Sequence, residues 1–298
     1  MFSWRSKQSE QVVARDLLNP APEYPKEQFD ETIKDLDWEM VERFGRRVHR
    51  KSSFSLEDGA QVEVKKYLSS GGTKSVYDVL ACGKAYALGI PNIIHEPDSY
   101  YWWDVHTEIY KTQQMHALGF QTNVFGMYNA VVAKDVLLPV IFMKKWSDFP
   151  FAIFDGRSNA KNQFPLFTKE TLITDQDIVK VLDPVCKIAA QLIHKRVNIW
   201  CDNYNWTFDH VTKQAGLFFS DLHNFSILPK KFTDEEMIDW HFSQIIGSFM
   251  NALGHETYYY NPYFNDNRWA NRSLRKNPVI KKAFYDKTRL YLTQLKNQ

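Results

Sequence analysis

Three short alternating runs between Val62 and Pro91, each closed by a turn signal, constrain this chain more than any other stretch. The first runs from Val62 to Tyr67 and is broken by Ser69-Ser70-Gly71-Gly72. The second spans Val76 to Leu80, and Ala81-Cys82-Gly83-Lys84 supplies the turn after it. Tyr86, Leu88 and Ile90 alternate as the third, stopped by Pro91. Period-two alternation between such breakers predicts three antiparallel strands. Backbone without Cβ lets N–H groups approach phosphate, so a glycine turn between the first two strands can cover a nucleotide triphosphate. An ordinary hairpin with a solvated Lys74 fits the same residues.

The chain's 298 residues can bury a sizeable core, as one two-lobed unit or two small domains. A net charge of +2 and a pI near 8.2 do not indicate a nucleic-acid binder. Cys82, Cys186 and Cys201 show no paired spacing, which argues against a disulfide framework or a zinc site and fits a reducing, cytoplasmic setting. The N-terminus has no apolar signal core, and no run of ~18 apolar residues suggests a transmembrane segment.

The remaining elements follow in order. Residues 1–59 read as a helical extension, with Phe29, Ile33, Leu36, Met40, Val41 and Phe44 at near-helical spacing up to Gly45. A basic run follows, including Arg46, Arg47, Arg50 and Lys51. After Pro91 a helix is expected from Ser99 to Leu118, then a hairpin of runs Thr122–Ala133 and Val136–Lys145. Residues 150–175 read as an irregular linker, and 175–196 as the strongest helix, with a broad apolar face. Val197 to Asp209 and Leu217 to His223 follow, then a helix opened by Asp234 and Glu235 with apolar positions from Ile238 to Leu253. A second basic cluster holds Arg272, Arg275, Lys276, Lys281 and Lys282. Each basic cluster is either a solvated helix surface or a contact for a polyanion.

This order of elements resembles the protein-kinase superfamily over residues 60 to 255. The resemblance implies an α+β, bilobal fold: a small antiparallel five-stranded N-lobe at 60–148 and a mostly helical C-lobe at 149–298. Gly71, Gly72, Thr73 and Lys74 then stand as the glycine-rich loop, and Lys145 and Trp146 lie beside the adenine hinge. The third strand, which normally ends in the ATP-contacting lysine, carries Gly89 there. That departure is similar to the "with no lysine" kinases, in which a second-strand lysine reaches the phosphates; here it would be Lys74. Lys84, in the hairpin turn, should face solvent. Glu108 is the helix carboxylate that would orient Lys74.

Phe218-Phe219-Ser220-Asp221 places an aspartate at the end of an apolar strand, where the family holds magnesium. Asn205 is the expected second metal ligand. The family's catalytic aspartate lies five residues before that asparagine, but Trp200 stands there, so Asp202 is expected to orient the acceptor hydroxyl. Asp239 should support this loop from below. The cofactors implied are ATP with Mg2+ or Mn2+, and the activity is γ-phosphate transfer to a protein hydroxyl, Ser/Thr ahead of Tyr. Only about a dozen residues separate Asp221 from the next helix, leaving little room for an activation loop. An inositol polyphosphate such as inositol hexakisphosphate, or a phosphoinositide surface, could order the C-lobe through the basic clusters. Such deviations resemble divergent bacterial effector kinases, which are delivered into the host cytosol. A pseudokinase interaction module, and a kinase-fold transferase acting on a small molecule or lipid or moving AMP, are the alternatives.

Overall fold

Alternation becomes strand where the turn between two runs can be made, and the β3–β4 hairpin meets that condition. The computed structural model describes residues 31–32, 36–70, 74–91, 101–145, 152–154, 174–209, 214–222, 225–252 and 274–298. Strands β2 (Gln61–Ser70), β3 (Lys74–Ala81) and β4 (Lys84–Pro91) are antiparallel, with Ala81 opposite Lys84. The two residues between them, Cys82 and Gly83, have φ of 50° and 73°, the left-handed pair that matches the twist of a two-residue hairpin. Strands β5 (Val124–Ala133) and β6 (Val136–Met143) form the second hairpin, again turned by a left-handed residue, Asp135. Strand β1 (Phe54–Ser55) adds to the five expected strands, and the sheet order is β1-β2-β3-β4-β6-β5.

Both sheet faces are covered. On one, Val62, Val79, Leu88, Val140 and Phe142 pack with Val41, Phe44 and Val48 of helix α1 (Trp38–His49). Asp37 caps this helix, its carboxylate accepting from Met40 N at 2.7 Å. Gly45 does not stop it, contrary to the sequence expectation. A helix-interior glycine costs about 1 kcal/mol, less than the ~1.5–3 kcal/mol gained by burying a side chain such as Val48 one turn later. Arg46, Arg47 and His49 thereby lie in the last turn, where positive charge suits the helix dipole. On the other face, Ala87, Val124, Met127, Ile141 and Met143 pack with Ile109 of helix α2 (Tyr101–Ala117).

The chain divides into two compact units: Met1–Ile109 with Val124–Lys145, and Tyr110–Asn123 with Trp146–Gln298. The second is mostly helical. Helix α3 (Asp175–His194) starts at a reciprocal cap, Thr174 Oγ1 accepting from Asp177 N at 3.2 Å and Asp177 Oδ2 from Thr174 N at 3.0 Å. Its buried face joins one core with helices α4 (Asp234–Ala252) and α5 (Pro278–Lys296). Strands β9 (Tyr204–Asp209) and β10 (Gln214–Phe219) pair across this core, and β7 (Ala152–Phe154) adds a third strand where a linker was expected. A short ladder joins β8 (Val197–Asn198) to β11 (Ser226–Ile227). The fold class is α+β, with a sheet-rich first unit and a mostly helical second. Among the described residues no helix is long and apolar enough to cross a membrane.

Candidate active site

In the sheet-rich unit the chemistry gathers at the first residue of β3. Lys74 is paired in register with Pro91, and Gly89 lies two residues back along β4 on the diagonal. The lysine stem crosses that glycine: a Cβ built at Gly89 would fall 3.2 Å from Lys74 Cδ and 3.2 Å from Met143 Cε. The missing side chain is therefore the space the lysine occupies. Lys74 Nζ reaches Glu108 Oε2 of α2 at 2.6 Å, and the two side chains are only 13% and 5% exposed. An ion pair this deeply desolvated adds little net stability, because loss of hydration offsets the attraction. What the pair does is hold the ammonium in one place at the start of β3.

Gly71, Gly72, Thr73 and Trp146 lie outside the described residues. Lys145, expected near the nucleotide, follows β6 and pairs with Asp78 of β3, with Nζ to Oδ1 at 2.6 Å.

The second constellation is a corner where the β9–β10 hairpin meets the 3-10 turn Cys201–Asn203. The register puts Phe219 opposite Tyr204 and Phe218 opposite Asn205. Asn203 is thus the asparagine beside Ser220 and Asp221, as the bond from Ser220 N to Asn203 O at 3.1 Å confirms. Its amide nitrogen donates to Ser220 O at 3.2 Å and to Asp221 O, and its Oδ1 accepts from Trp200 N at 3.1 Å. Asn205 Nδ2 donates to Ser220 Oγ at 2.7 Å and Asn203 O at 3.3 Å. Asp221 takes φ of 57°, a left-handed conformation that Asp and Asn tolerate better than other non-glycine residues. Asp202 belongs to the same 3-10 turn, and its side chain lies outside the described residues.

A magnesium or manganese ion carried by ATP needs hard oxygen donors, usually one or two carboxylates with phosphate and water. The corner fits this with Asp221 as the carboxylate and Asn205, its nitrogen already engaged, as an amide oxygen. Asn203 does not fit: both ends of its amide are spent on backbone. Five residues before Asn203 stands Asn198, which has no acidic group; its Nδ2 donates to Ser226 Oγ at 3.3 Å. Sequence reading singled out Asn205 and not Asn203, whose part in tying Trp200 to Ser220 and Asp221 depends on groups distant in sequence. The strand register separates the two asparagines.

Asp239 does not support the loop. It is exposed on α4, accepting from Tyr285 OH and pairing with Lys281 Nζ at 3.2 Å. The buried side chain beneath the loop is His241, fully enclosed, with Nε2 bonded to Val197 O at 2.9 Å and Nδ1 to Tyr204 OH at 3.1 Å. Two positions on an α-helix turn a side chain by about 200°, so a reading that stops at Asp239 picks the solvent side. Burial lowers the His241 pKa from 6.5 to about 4. Between those values the unfolded chain binds a proton that the folded chain refuses, so stability rises with pH there and is lost on acidification from about 6.5 toward 4. The loss should be on the order of 3 kcal/mol. His241→Gln should flatten that part of a stability–pH curve measured by urea unfolding; an unchanged slope would mean another group titrates.

The basic clusters are partly committed to partners inside the protein. Arg46 pairs with Glu42, Lys281 with Asp239 and Lys282 with Asp286, while Arg275 donates to Ser243 O at 2.9 Å. Arg50 caps α1, Lys51 follows it in a left-handed conformation, and Lys276 lies in a 3-10 turn before α5. Arg272 lies outside the described residues.

No protein-family model and no curated protein matches this chain. Among solved structures, the BubR1 kinase domain is similar with a TM-score of 0.46 at 13% identity, covering 93% of this chain and 95% of that one. A rhoptry antigen kinase domain of Toxoplasma gondii gives 0.45 at 12% identity, covering 90% and 96%. ROP2 of the same organism, described as a virulence factor with a protein-kinase fold and no enzymatic activity, gives 0.45 at 11%, with the same coverage.

Proposed function

We propose that this chain is an atypical kinase that binds ATP and passes its γ-phosphate to a hydroxyl, on a protein Ser or Thr ahead of Tyr. The observation that carries the reading is the desolvated Lys74–Glu108 pair at 2.6 Å, with the lysine stem lying in the space left by Gly89. Lys74 would hold the phosphates, and Glu108 would keep its ammonium in place. Asp221, with the Asn205 amide oxygen, would hold Mg2+ or Mn2+, which supplies charge neutralisation at the transferring phosphoryl group. Asp202 would orient the acceptor hydroxyl; transfer of this kind depends on position and charge more than on covalent chemistry.

One observation favours a second reading, a pseudokinase that binds nucleotide without transfer. Asn203, the asparagine bonded to Ser220 and Asp221, already spends its amide on backbone groups, and the residue five before it, Asn198, carries no acid. Transfer from γ-labelled ATP, with magnesium and with manganese, separates the two. Labelled protein in the wild type that Asp202→Asn abolishes supports the first reading; nucleotide binding with no label supports the second.

A further inference from the structure

Helix α4 carries a row of polar side chains on a face that is otherwise apolar and buried. His241, Gln244 and Ser248 stand at i, i+3 and i+7, on one side of the helix, and are 0%, 7% and 4% exposed. All three direct their hydrogen bonds to the segment 197–206. A carbonyl can only accept, so the contact to Val197 O fixes the proton on His241 Nε2 and leaves Nδ1 to accept from Tyr204 OH. Gln244 Oε1 accepts from Cys201 N at 2.9 Å. Ser248 Oγ accepts from Trp206 Nε1 at 2.9 Å and donates to Tyr204 O at 3.2 Å.

Val197 and Tyr204 are the two stems of the loop that carries Asn198, Asp202 and Asn203. One neutral imidazole ties the stems together, Gln244 takes the amide of the turn between them, and Ser248 fixes the strand that leaves it. Burial alone does not call for such a row. A buried hydrogen bond adds less net stability than the burial of an apolar side chain of similar size. Directional bonds do what apolar packing cannot: they select one geometry of the segment they bind.

We propose that His241, Gln244 and Ser248 are positioning residues that hold the 197–206 loop ready before any ligand arrives. The proposal rests on the reading of this loop as the one that serves phosphate transfer. Ser248→Ala and Gln244→Leu remove acceptors while leaving every side chain of the proposed site in place. Each should lower kcat for transfer by up to ~100-fold, the scale of an ångström-level misplacement, with KM for ATP unchanged. Ser248→Thr keeps the hydroxyl and should restore the rate.

Melting curves identify any variant that fails to fold; should Gln244→Leu do so, the Ser248→Ala and Ser248→Thr pair decides. Equal losses for Ala and Thr at Ser248, or a loss that only follows the unfolded fraction, would overturn the proposal. If the wild type binds ATP but transfers nothing, the transfer reading fails and the test moves to the tightening of ATP by Mg2+. Ser248→Ala must then weaken that increment and leave metal-free affinity alone; an unchanged increment overturns the proposal. A wild type that binds no ATP at all ends both the nucleotide reading and the proposal resting on it. That failure appears without any substitution, so the two are told apart.

Discussion

Lys74→Met is expected to lose transfer by ~10²–10³-fold, the scale seen when a fixed cationic or hydrogen-bond donor to developing charge is removed. The variant has a second consequence. It leaves Glu108, 5% exposed, without the ammonium 2.6 Å away. Breaking one side of a buried pair costs about 3–5 kcal/mol, since the remaining carboxylate must stay desolvated or take up a proton. Loss of activity in the single variant therefore mixes chemistry with stability. Lys74→Met with Glu108→Gln separates them: the neutral amide should recover most of the melting temperature while transfer stays absent. Lys84→Met should change neither, because Lys84 opens β4 at the hairpin end, whereas Lys74 pairs with the strand's other end at Pro91. A dead Lys84→Met beside an active Lys74→Met would mean that the lysine holding the phosphates has been misidentified.

Gly89 provides a finer probe of the same arrangement. A Cβ there would meet the Lys74 stem at 3.2 Å, tighter than ordinary contact but at a flexible methylene. Gly89→Ala should therefore displace the ammonium by a few tenths of an ångström and reduce transfer by roughly severalfold, with little change in melting temperature. The effect should vanish in the Lys74→Met background, where no ammonium remains to be moved. An equal loss in both backgrounds would place the cause at Met143, the other side chain at 3.2 Å.

The Lys74–Gly89 relation was legible because strand alternation and turn residues fix register, and register fixes diagonal neighbours. Glu108 was legible as a candidate partner for Lys74 because, apart from Asp104, it is the one carboxylate in the interior of the helix expected after Pro91. The loop in the helical unit was harder to read. Asn203 closes the 3-10 turn and Asn205 lies two residues on in β9, so spacing alone cannot say which lies beside Asp221; pairing of Phe219 with Tyr204 does. Asp239 was expected to support the loop only through the resemblance of its helix to the family's, yet it points to Lys281 and Tyr285 on α5. The polar row His241, Gln244 and Ser248 interrupts an apolar face, and its meaning depends on backbone groups of a segment some forty residues earlier. Long-range partners of that kind leave no local pattern.

Asp221→Asn and Asp221→Ala are both expected to reduce transfer by at least ~10³-fold, because an ATP-borne metal would lose its charged protein ligand. They should differ in stability. Asp221 holds φ of 57°, which Asn adopts readily, whereas Ala pays roughly 1–2 kcal/mol for a left-handed backbone. Asp221→Asn should thus melt close to the wild type, and Asp221→Ala below it. The backbone carbonyl that accepts from Asn203 is common to all three, so the corner itself survives either change. Equal inactivity with unequal stability would assign the effect to the lost charge and not to the fold. If the wild type binds ATP without transferring phosphate, the same pair is read by metal titration: Asp221→Asn should abolish the gain in ATP affinity on adding Mg2+ or Mn2+. More than a few per cent of wild-type transfer in Asp221→Asn, or an undiminished metal response, removes Asp221 from the site and leaves the corner as a structural turn.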